Sequence, residues 1–562
     1  MAIKRFAASK DTTITNAFKS DLSTRATGSN MGFSDSLEVF SIYGQSIVLS
    51  PVRKTTELSR ILIQFPMSEI SSSRESGDIP ISGSVSFHMR LFNATHPFTL
   101  PKSFTLAISA LTKSWEEGTG LDMESYTDKT YDQEGASWVG SSAGVFWETA
   151  GGDYVTDNGN SAYGYVRPRG LTTDLSSSFT ASFTNGVEDL EVDITTLAEQ
   201  WINTEGNVLG SKDNYGVIIT LTSSQEAQFS GSNVASMYPG YHVITGSNGV
   251  FHHTAGATRS YYTKKFFARG TEFFFKRPVL EVRWDSSKKD NRSNFYVSSS
   301  LASANDNLNT LYMYNYVRGQ LKDIPGLTAA ADGKDKLCIR IYPSSSLTRG
   351  VDNAKTLPID GVGGVTVDGH TVITGSWVET GIYSATFAHT GSDLNVYDVW
   401  STSSAPSYNS AGASYVEFFT GSMITIKSFS GSTPSYNPQP SYITTITNLK
   451  PTYNKQETAR FKLYTRQKNW NPNIYTKATS VVKNEIIEDA YYKTYRIGDD
   501  YDVIRYGTGS VNHTRLSYDV SGNYFDLDMS LLENDFAYGI KFVYYINGKY
   551  VEQSEIFKFR VE

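Results

Sequence analysis

Ser84-Val85-Ser86-Phe87-His88-Met89-Arg90-Leu91-Phe92 alternates polar and apolar side chains with a period of two. Successive side chains of an extended chain point to opposite faces, so Val85, Phe87, Met89 and Leu91 share one face while Ser84, Ser86, His88 and Arg90 share the other. That is the pattern of a strand with one face on a core. Upstream, Leu58-Ser59-Arg60-Ile61-Leu62-Ile63-Gln64-Phe65 crowds its apolar residues together until Pro66 stops the run. Downstream, Thr105-Leu106-Ala107-Ile108-Ser109-Ala110-Leu111 repeats the alternation. The composition extends this reading to the whole chain. With 36 Tyr, 30 Phe, 39% hydrophobic and 19% charged residues, the protein is too aromatic and too weakly charged to be disordered. Aromatic and β-branched side chains suit a pleated, half-buried surface, so an all-β fold is expected.

At 562 residues the chain exceeds what one core usually supports, and two to four domains are expected. Leu190-Glu191-Val192-Asp193-Ile194 reads as a strand, and the spacing of Leu197 and Trp201 behind a Ser/Thr-type cap predicts one short helix over 195–202. Strands follow at Val217 to Leu221 and at Pro278 to Trp284. The charged stretch Asp285-Ser286-Ser287-Lys288-Lys289-Asp290-Asn291-Arg292 reads as a linker and marks the first seam. Beyond it, Lys336 to Tyr342, Val365 to Thr374, Ile382 to Phe387, Asn395 to Trp400 and Met423 to Ile426 are short strands between Gly- and Ser-rich turns, the spacing of an immunoglobulin-like sandwich. The Pro- and Ser-rich segment Ser430 to Pro440 marks a second seam. Alternation resumes at Ala459 to Tyr464, and Asn547-Gly548 between two strands is a hairpin signal. The expected domains are 1–286, 293–430 and 441–562.

A net charge of −7, with Lys and Arg scattered, argues against direct nucleic-acid binding. The single cysteine, Cys338, allows no intramolecular disulfide and no cysteine-based metal cluster; it reads as a small buried strand residue. The start carries no apolar stretch of signal-peptide length, and no run approaches the roughly 20 apolar residues of a membrane span, so a soluble chain with no membrane insertion is expected.

Few residues carry recognisable chemistry. His252-His253 lacks a third ligand at motif spacing, and neighbours on a strand point to opposite faces. The loop from Asp153 to Asn160 gathers hard oxygen ligands that suit Ca²⁺ without matching an EF-hand; a Gly/Asp turn without an ion is the favoured reading. Glu116-Glu117, or Asp122 and Glu124, could serve a glycosidase only in a geometry that proximity does not establish. Gly361-Val362-Gly363-Gly364 lacks the helix of a dinucleotide site. The aromatics are more distinctive. Trp115, Trp138, Trp147, Tyr154, Tyr163 and Tyr165 crowd one loop-rich stretch, and aromatic faces stack on sugars as well as on one another.

Read in order, Asp11-Thr12-Thr13-Ile14, Arg60 to Phe65, Thr112-Lys113-Ser114-Trp115-Glu116-Glu117-Gly118, Ala136-Ser137-Trp138, Gly151-Gly152-Asp153-Tyr154, Val192 to Trp201, Asn214-Tyr215-Gly216 and Pro278 to Val282 resemble the DNRLRE-type domains of wall-anchored bacterial proteins. Two features depart from that pattern: Phe65 precedes Pro66 rather than an acidic residue, and Ser223 to Lys264 is an insertion. The resemblance, over about Asp11 to Trp284, implies an N-terminal jelly-roll-like, carbohydrate-binding-module-like β-sandwich, and the strand spacing beyond it adds the expectation of two smaller immunoglobulin-like sandwiches. Thr24 to Gly32, Leu37-Glu38-Val39-Phe40, Gly522-Asn523-Tyr524-Phe525 and Phe557 to Glu562 are similar to virion structural proteins of contractile-tailed phages of marine cyanobacteria. That implies synthesis in the host cytoplasm, residence in the virion in multiple copies, and other virion proteins as partners. The expectation is a non-enzymatic structural component of the particle. The alternative is a receptor-binding module that holds host polysaccharide through Trp115, Trp138, Trp147, Tyr154 and Tyr163; a depolymerase ranks third, since no acid/base pair stands out.

Overall fold

The computed structural model describes residues 2–18, 26–45, 54–80, 83–96, 100–121, 135–148, 150–155, 178–203, 212–222, 224–226, 260–327, 337–344, 359–360, 364–367, 370–402, 416–427, 440–470, 474 and 484–562. They divide into two compact units, Ala2–Trp284 and Asp285–Glu562, and their sheets make the chain an all-β, multi-domain β-sandwich protein. Among the described residues no helix is long and apolar enough to cross a membrane.

In the first unit the strands are β1 (Ile3–Ala7), β2 (Lys10–Thr15), β3 (Ser36–Gln45), β4 (Lys54–Gln64), β5 (Val85–Leu91), β6 (Phe104–Ala110), β7 (Gly140–Ser142), β8 (Val145–Phe146), β9 (Ser178–Phe183), β10 (Leu190–Asp193), β11 (Val217–Leu221), β12 (Tyr261–Phe267) and β13 (Val279–Trp284). One sheet runs β1-β13-β5-β10; the other runs β12-β3-β4-β11-β6-β9, with β2 also on β4. Val85, Phe87, Met89 and Leu91 of β5 enter one core with Leu280 and Val282 of β13, Ile61 and Ile63 of β4, Leu106 and Ile108 of β6, and Val217 and Ile219 of β11. The period-two pattern of β5 thus places its apolar face between two sheets.

Its polar face is not simply wet. Arg90 is buried there with Glu281, which also takes Arg5 at 2.6 Å and Arg283 at 2.6 Å. Burial alone would raise the Glu281 carboxyl, but the three guanidiniums outweigh it and hold the group well below the usual carboxylate range.

The outward face of β4 explains why Leu58 to Phe65 reads as a crowded apolar run. Leu58 and Leu62, with Ile14 and Ile218, are covered by a second small core, so this sheet is buried on both sides. Among the described residues two α-helices complete the unit. The expected helix is Thr195–Ile202, although its entry is built differently: Asp193 Oδ1 accepts the Thr195 N–H at 2.9 Å, and the Thr195 hydroxyl accepts from Phe87 N at 2.9 Å. A second helix, Met67–Glu75, follows Pro66, where the sequence implies only the end of the apolar run. Met67 and Ile70, one turn apart, seal it onto the core.

The second unit holds two further sheet pairs. Leu337–Tyr342, Asn395–Thr402 and Ile424–Lys427 face Asn309–Tyr314 and Ile382–His389 across a core containing Trp400, Phe387 and Phe295. Cys338 is buried in the first of these strands. Thr458–Gln467 and Gly522–Asp528 belong to one later sheet, Ala490–Arg496, Ala537–Ile546 and Phe557–Val561 to the other. Stacked and edge-on rings of Phe461, Phe525, Tyr492, Phe542 and Phe559 join them. Asn547 and Gly548 both take positive φ in the turn that pairs Ile546 with Lys549. The charged stretch expected as a linker is instead packed inside this unit: Asp290 N donates to Tyr518 O at 3.0 Å, and Tyr518 N to Lys288 O at 3.0 Å. Of the second expected seam, 430–439 lies outside the described residues.

Candidate functional site

The three tryptophans of the expected sugar-stacking platform face inward. Trp115, Trp138 and Trp147 are only 3%, 2% and 2% exposed, packed with Ala136 and Leu111 over Leu58, Leu62 and Ile218. Trp115 Nε1 donates to Tyr215 O at 2.8 Å and Trp147 Nε1 to Ser137 O at 2.9 Å, so both indoles are anchored by backbone. The physical reason is the sheet beneath. An outward β4 face rich in leucine must be covered, and the large loop aromatics supply the area.

Arg60, also buried, lies between them: its guanidinium stands 5.1 Å from the Trp138 ring and 5.6 Å from the Tyr154 ring, donates to Gly151 O at 2.8 Å and pairs with Glu226 at 3.3 Å. Tyr154 is half-buried; Tyr163 and Tyr165 lie outside the described residues.

The other candidates scatter. Asp153 is buried, with Oδ2 accepting the Glu148 N–H at 2.8 Å, and 156–160 of its loop lie outside the described residues, as do His252, His253, Asp122, Glu124 and 361–363. Glu117 pairs with Arg269 at 2.5 Å and accepts from Asp11 N at 2.9 Å, which ties it into the fold. Among the described residues no group of three or more His, Cys, Asp or Glu side chains is placed to hold a metal ion.

A different cluster, which no motif in the sequence marks, carries more chemistry. Alternation along β12 sends Tyr262, Lys264 and Phe266 to the core side, and Lys264 is 1% exposed. Its Nζ donates to Asn93 Oδ1 at 2.6 Å, Glu188 O at 2.7 Å and Gly186 O at 2.9 Å, 5.0 Å from the rings of both Phe183 and Phe266. Asn93 follows β5 and lies opposite Phe266 in an isolated antiparallel bridge. Its main-chain N–H donates to Asp189 Oδ1 at 2.8 Å. Burial brings Lys264 down to about 8, with Asp189 and Glu188 opposing the drop. The signal for this site was a lysine at an inward strand position between two aromatics.

No family model matches the sequence, and no curated protein matches it. Among solved structures the chain is similar to a marsupial T cell receptor, at 10% identity over 45% of this chain and 68% of that one, TM-score 0.14. It is also similar to a chimeric titin Z1Z2-Z1Z2 tandem, at 11% over 40% and 85%, TM-score 0.13. A third likeness is to the chicken CNTN1 FN1-FN3 domains, at 10% over 53% and 81%, TM-score 0.13.

Proposed function

We propose that the protein is a non-enzymatic structural component of a tailed-phage virion, a decoration or adaptor on head, neck or tail that acts by assembling with other virion proteins in multiple copies. In this reading residues 1–286 are the DNRLRE-type jelly-roll-like module, and 293–430 and 441–562 are immunoglobulin-like sandwiches. The chain is made in the host cytoplasm and resides in the particle.

What supports assembly over glycan recognition is the division of labour among the aromatics. The tryptophans that a sugar ring would need are used to cover a sheet, whereas Phe33, Phe273 and Phe274 are 55%, 52% and 62% exposed. The segments carrying them adjoin, since Ala268 N donates to Asp35 O at 2.9 Å and Phe273 packs edge-on against Phe267 at 5.5 Å. Exposed large apolar side chains gathered in one region mark protein contacts, and phenylalanine is enriched in interface cores.

The test is a reconstruction of the intact particle that traces this chain. Phe33, Phe273 and Phe274 buried against neighbouring structural proteins is the expected result. A chain missing from the particle, or one whose aromatic loops hold glycan at a distal tip, overturns it. A Phe273→Asp, Phe274→Asp double variant should fold normally and fail to incorporate.

A further inference from the structure

We propose that Lys264 and Asn93 join covalently, the ε-amine displacing ammonia from the side-chain amide to form an isopeptide cross-link inside the first β-sandwich. Of the three oxygens that Lys264 Nζ touches, two belong to backbone peptides and one, Asn93 Oδ1 at 2.6 Å, to a side-chain amide with a leaving group of its own. Holding an amine hydrogen-bonded to that oxygen keeps it beside the electrophilic Cγ, and fixed proximity of this kind replaces a bimolecular encounter with an intramolecular one.

The surroundings favour the reaction. The Phe183 and Phe266 rings line the pocket, and burial favours the free amine, the form with a lone pair to give. A proton relay is also at hand. Asp189 accepts the main-chain N–H of Asn93 at 2.8 Å and is the first charge opposing the drop at Lys264, so its carboxylate stands close to both reacting residues and is the group assigned to carry protons between their side-chain nitrogens.

The step balances without an outside reagent. The Nζ–Cγ bond forms and the Cγ–Nδ2 bond breaks. Two protons pass from the lysine ammonium through the Asp189 carboxyl to Nδ2, which departs as an ammonium ion. A primary amide becomes a secondary amide, and nothing is oxidised or reduced.

The bond would join residues 171 apart in sequence, tying the chain just after β5, in one sheet, to β12 at the edge of the other. A chain whose single cysteine cannot form an internal disulfide would thereby gain a covalent clamp by other means.

Intact-mass measurement of the denatured full-length protein tests this, set beside Lys264→Arg, Asn93→Ala and Asp189→Asn chains. The parent should be lighter than its sequence by one ammonia, and tryptic mapping should yield a branched species joining peptide 91–102 to peptide 260–265. Lys264→Arg and Asn93→Ala should both run at sequence mass. Asp189→Asn should also be recovered at sequence mass while melting at the same temperature as Lys264→Arg, a combination that a merely structural aspartate does not produce. A parent chain at its full sequence mass, or a mass loss that survives Lys264→Arg, overturns the cross-link; a fully cross-linked Asp189→Asn chain overturns the relay. The parent's mass decides the first question alone, so a variant that fails to fold leaves the test intact.

Discussion

Arg60 shows how much one side chain of the covering layer must do. It projects from the centre of β4 into an aromatic pocket, where Glu226, Gly151 O and two ring faces compensate its charge. Truncation leaves Glu226 buried opposite a cavity. Arg60→Ala should therefore cost about 3–5 kcal/mol, read as a lower urea midpoint at unchanged slope. Gly152 is constrained from the same side: its φ is +101°, and a Cβ would sit 2.9 Å from Ile218 Cδ1. Asp11 makes a prediction of opposite character. Burial raises its carboxyl from 3.8 to about 7, against the pull of the Arg269 N–H it accepts at 2.6 Å. The folded state therefore binds a proton that the unfolded chain has already released. The stability this contributes is fully present below pH 3.8 and is lost as pH rises through about 7. Asp11→Asn keeps the acceptor and removes the titration. Urea midpoints at several pH values should show a flatter profile between pH 4 and 7 for the variant, and at pH 8 the variant should be at least as stable as the parent. A parallel pair of profiles would show that Asp11 is ionised throughout.

Elements differ in how openly their sequence announced them. β5 was legible because its inward residues are apolar and its outward ones polar, and Leu58 to Phe65 was legible as a strand, though not as one covered on both faces. What hid the covering layer is that a loop tryptophan has the same identity whether it faces a sugar or a sheet; only the position of β4 beneath Trp115, Trp138 and Trp147 decides. Met67–Glu75 was missed because a proline that ends a strand can also open a helix, and the Met67 and Ile70 pair is too short a pattern to separate the two. Lys264 was half legible: the alternation of Tyr262, Lys264 and Phe266 places it inward, but Asn93 becomes its neighbour only once β12 folds back past the end of β5. The covering layer, although loop in form, should behave as core. Glu116 N donates to Ser141 O, Trp147 N to Val139 O and Gly151 N to Trp138 O, at 2.9, 3.0 and 2.7 Å. Amide exchange at these positions should be as slow as in β4, and Trp147→Ala should cost about 3–5 kcal/mol while accelerating all of them together. Fast exchange there in the parent would show that the layer opens independently of the sheet.

For the molecule as a whole, the stretch Asp285 to Arg292 is decisive, because its charges read as a linker and its hydrogen bonds make it a splint. Arg292 grips the fully buried Asp398 through both guanidinium nitrogens, at 2.5 and 2.6 Å, and donates to Tyr312 O at 3.0 Å. A few residues before it, Lys288 and Asp290 exchange backbone hydrogen bonds with Tyr518, and Asn291 donates to the Tyr518 hydroxyl at 3.2 Å. One short segment is thus part of both sandwiches of the 285–562 unit, and Trp400 Nε1 adds a third donor to Asp398 at 2.8 Å. Two sandwiches sharing a splint whose Arg292 reaches the buried Asp398 should unfold together, since releasing either exposes a paired charge that the other still holds. Calorimetry of the full chain should then resolve two transitions, one for each compact unit. Arg292→Ala should lower the transition of 285–562 by about 3–5 kcal/mol and leave that of the first unit in place, because the uncompensated Asp398 lies wholly within the second. Three transitions in the parent would mean that the splint does not couple the sandwiches and that the charged stretch is, after all, the joint its composition suggests.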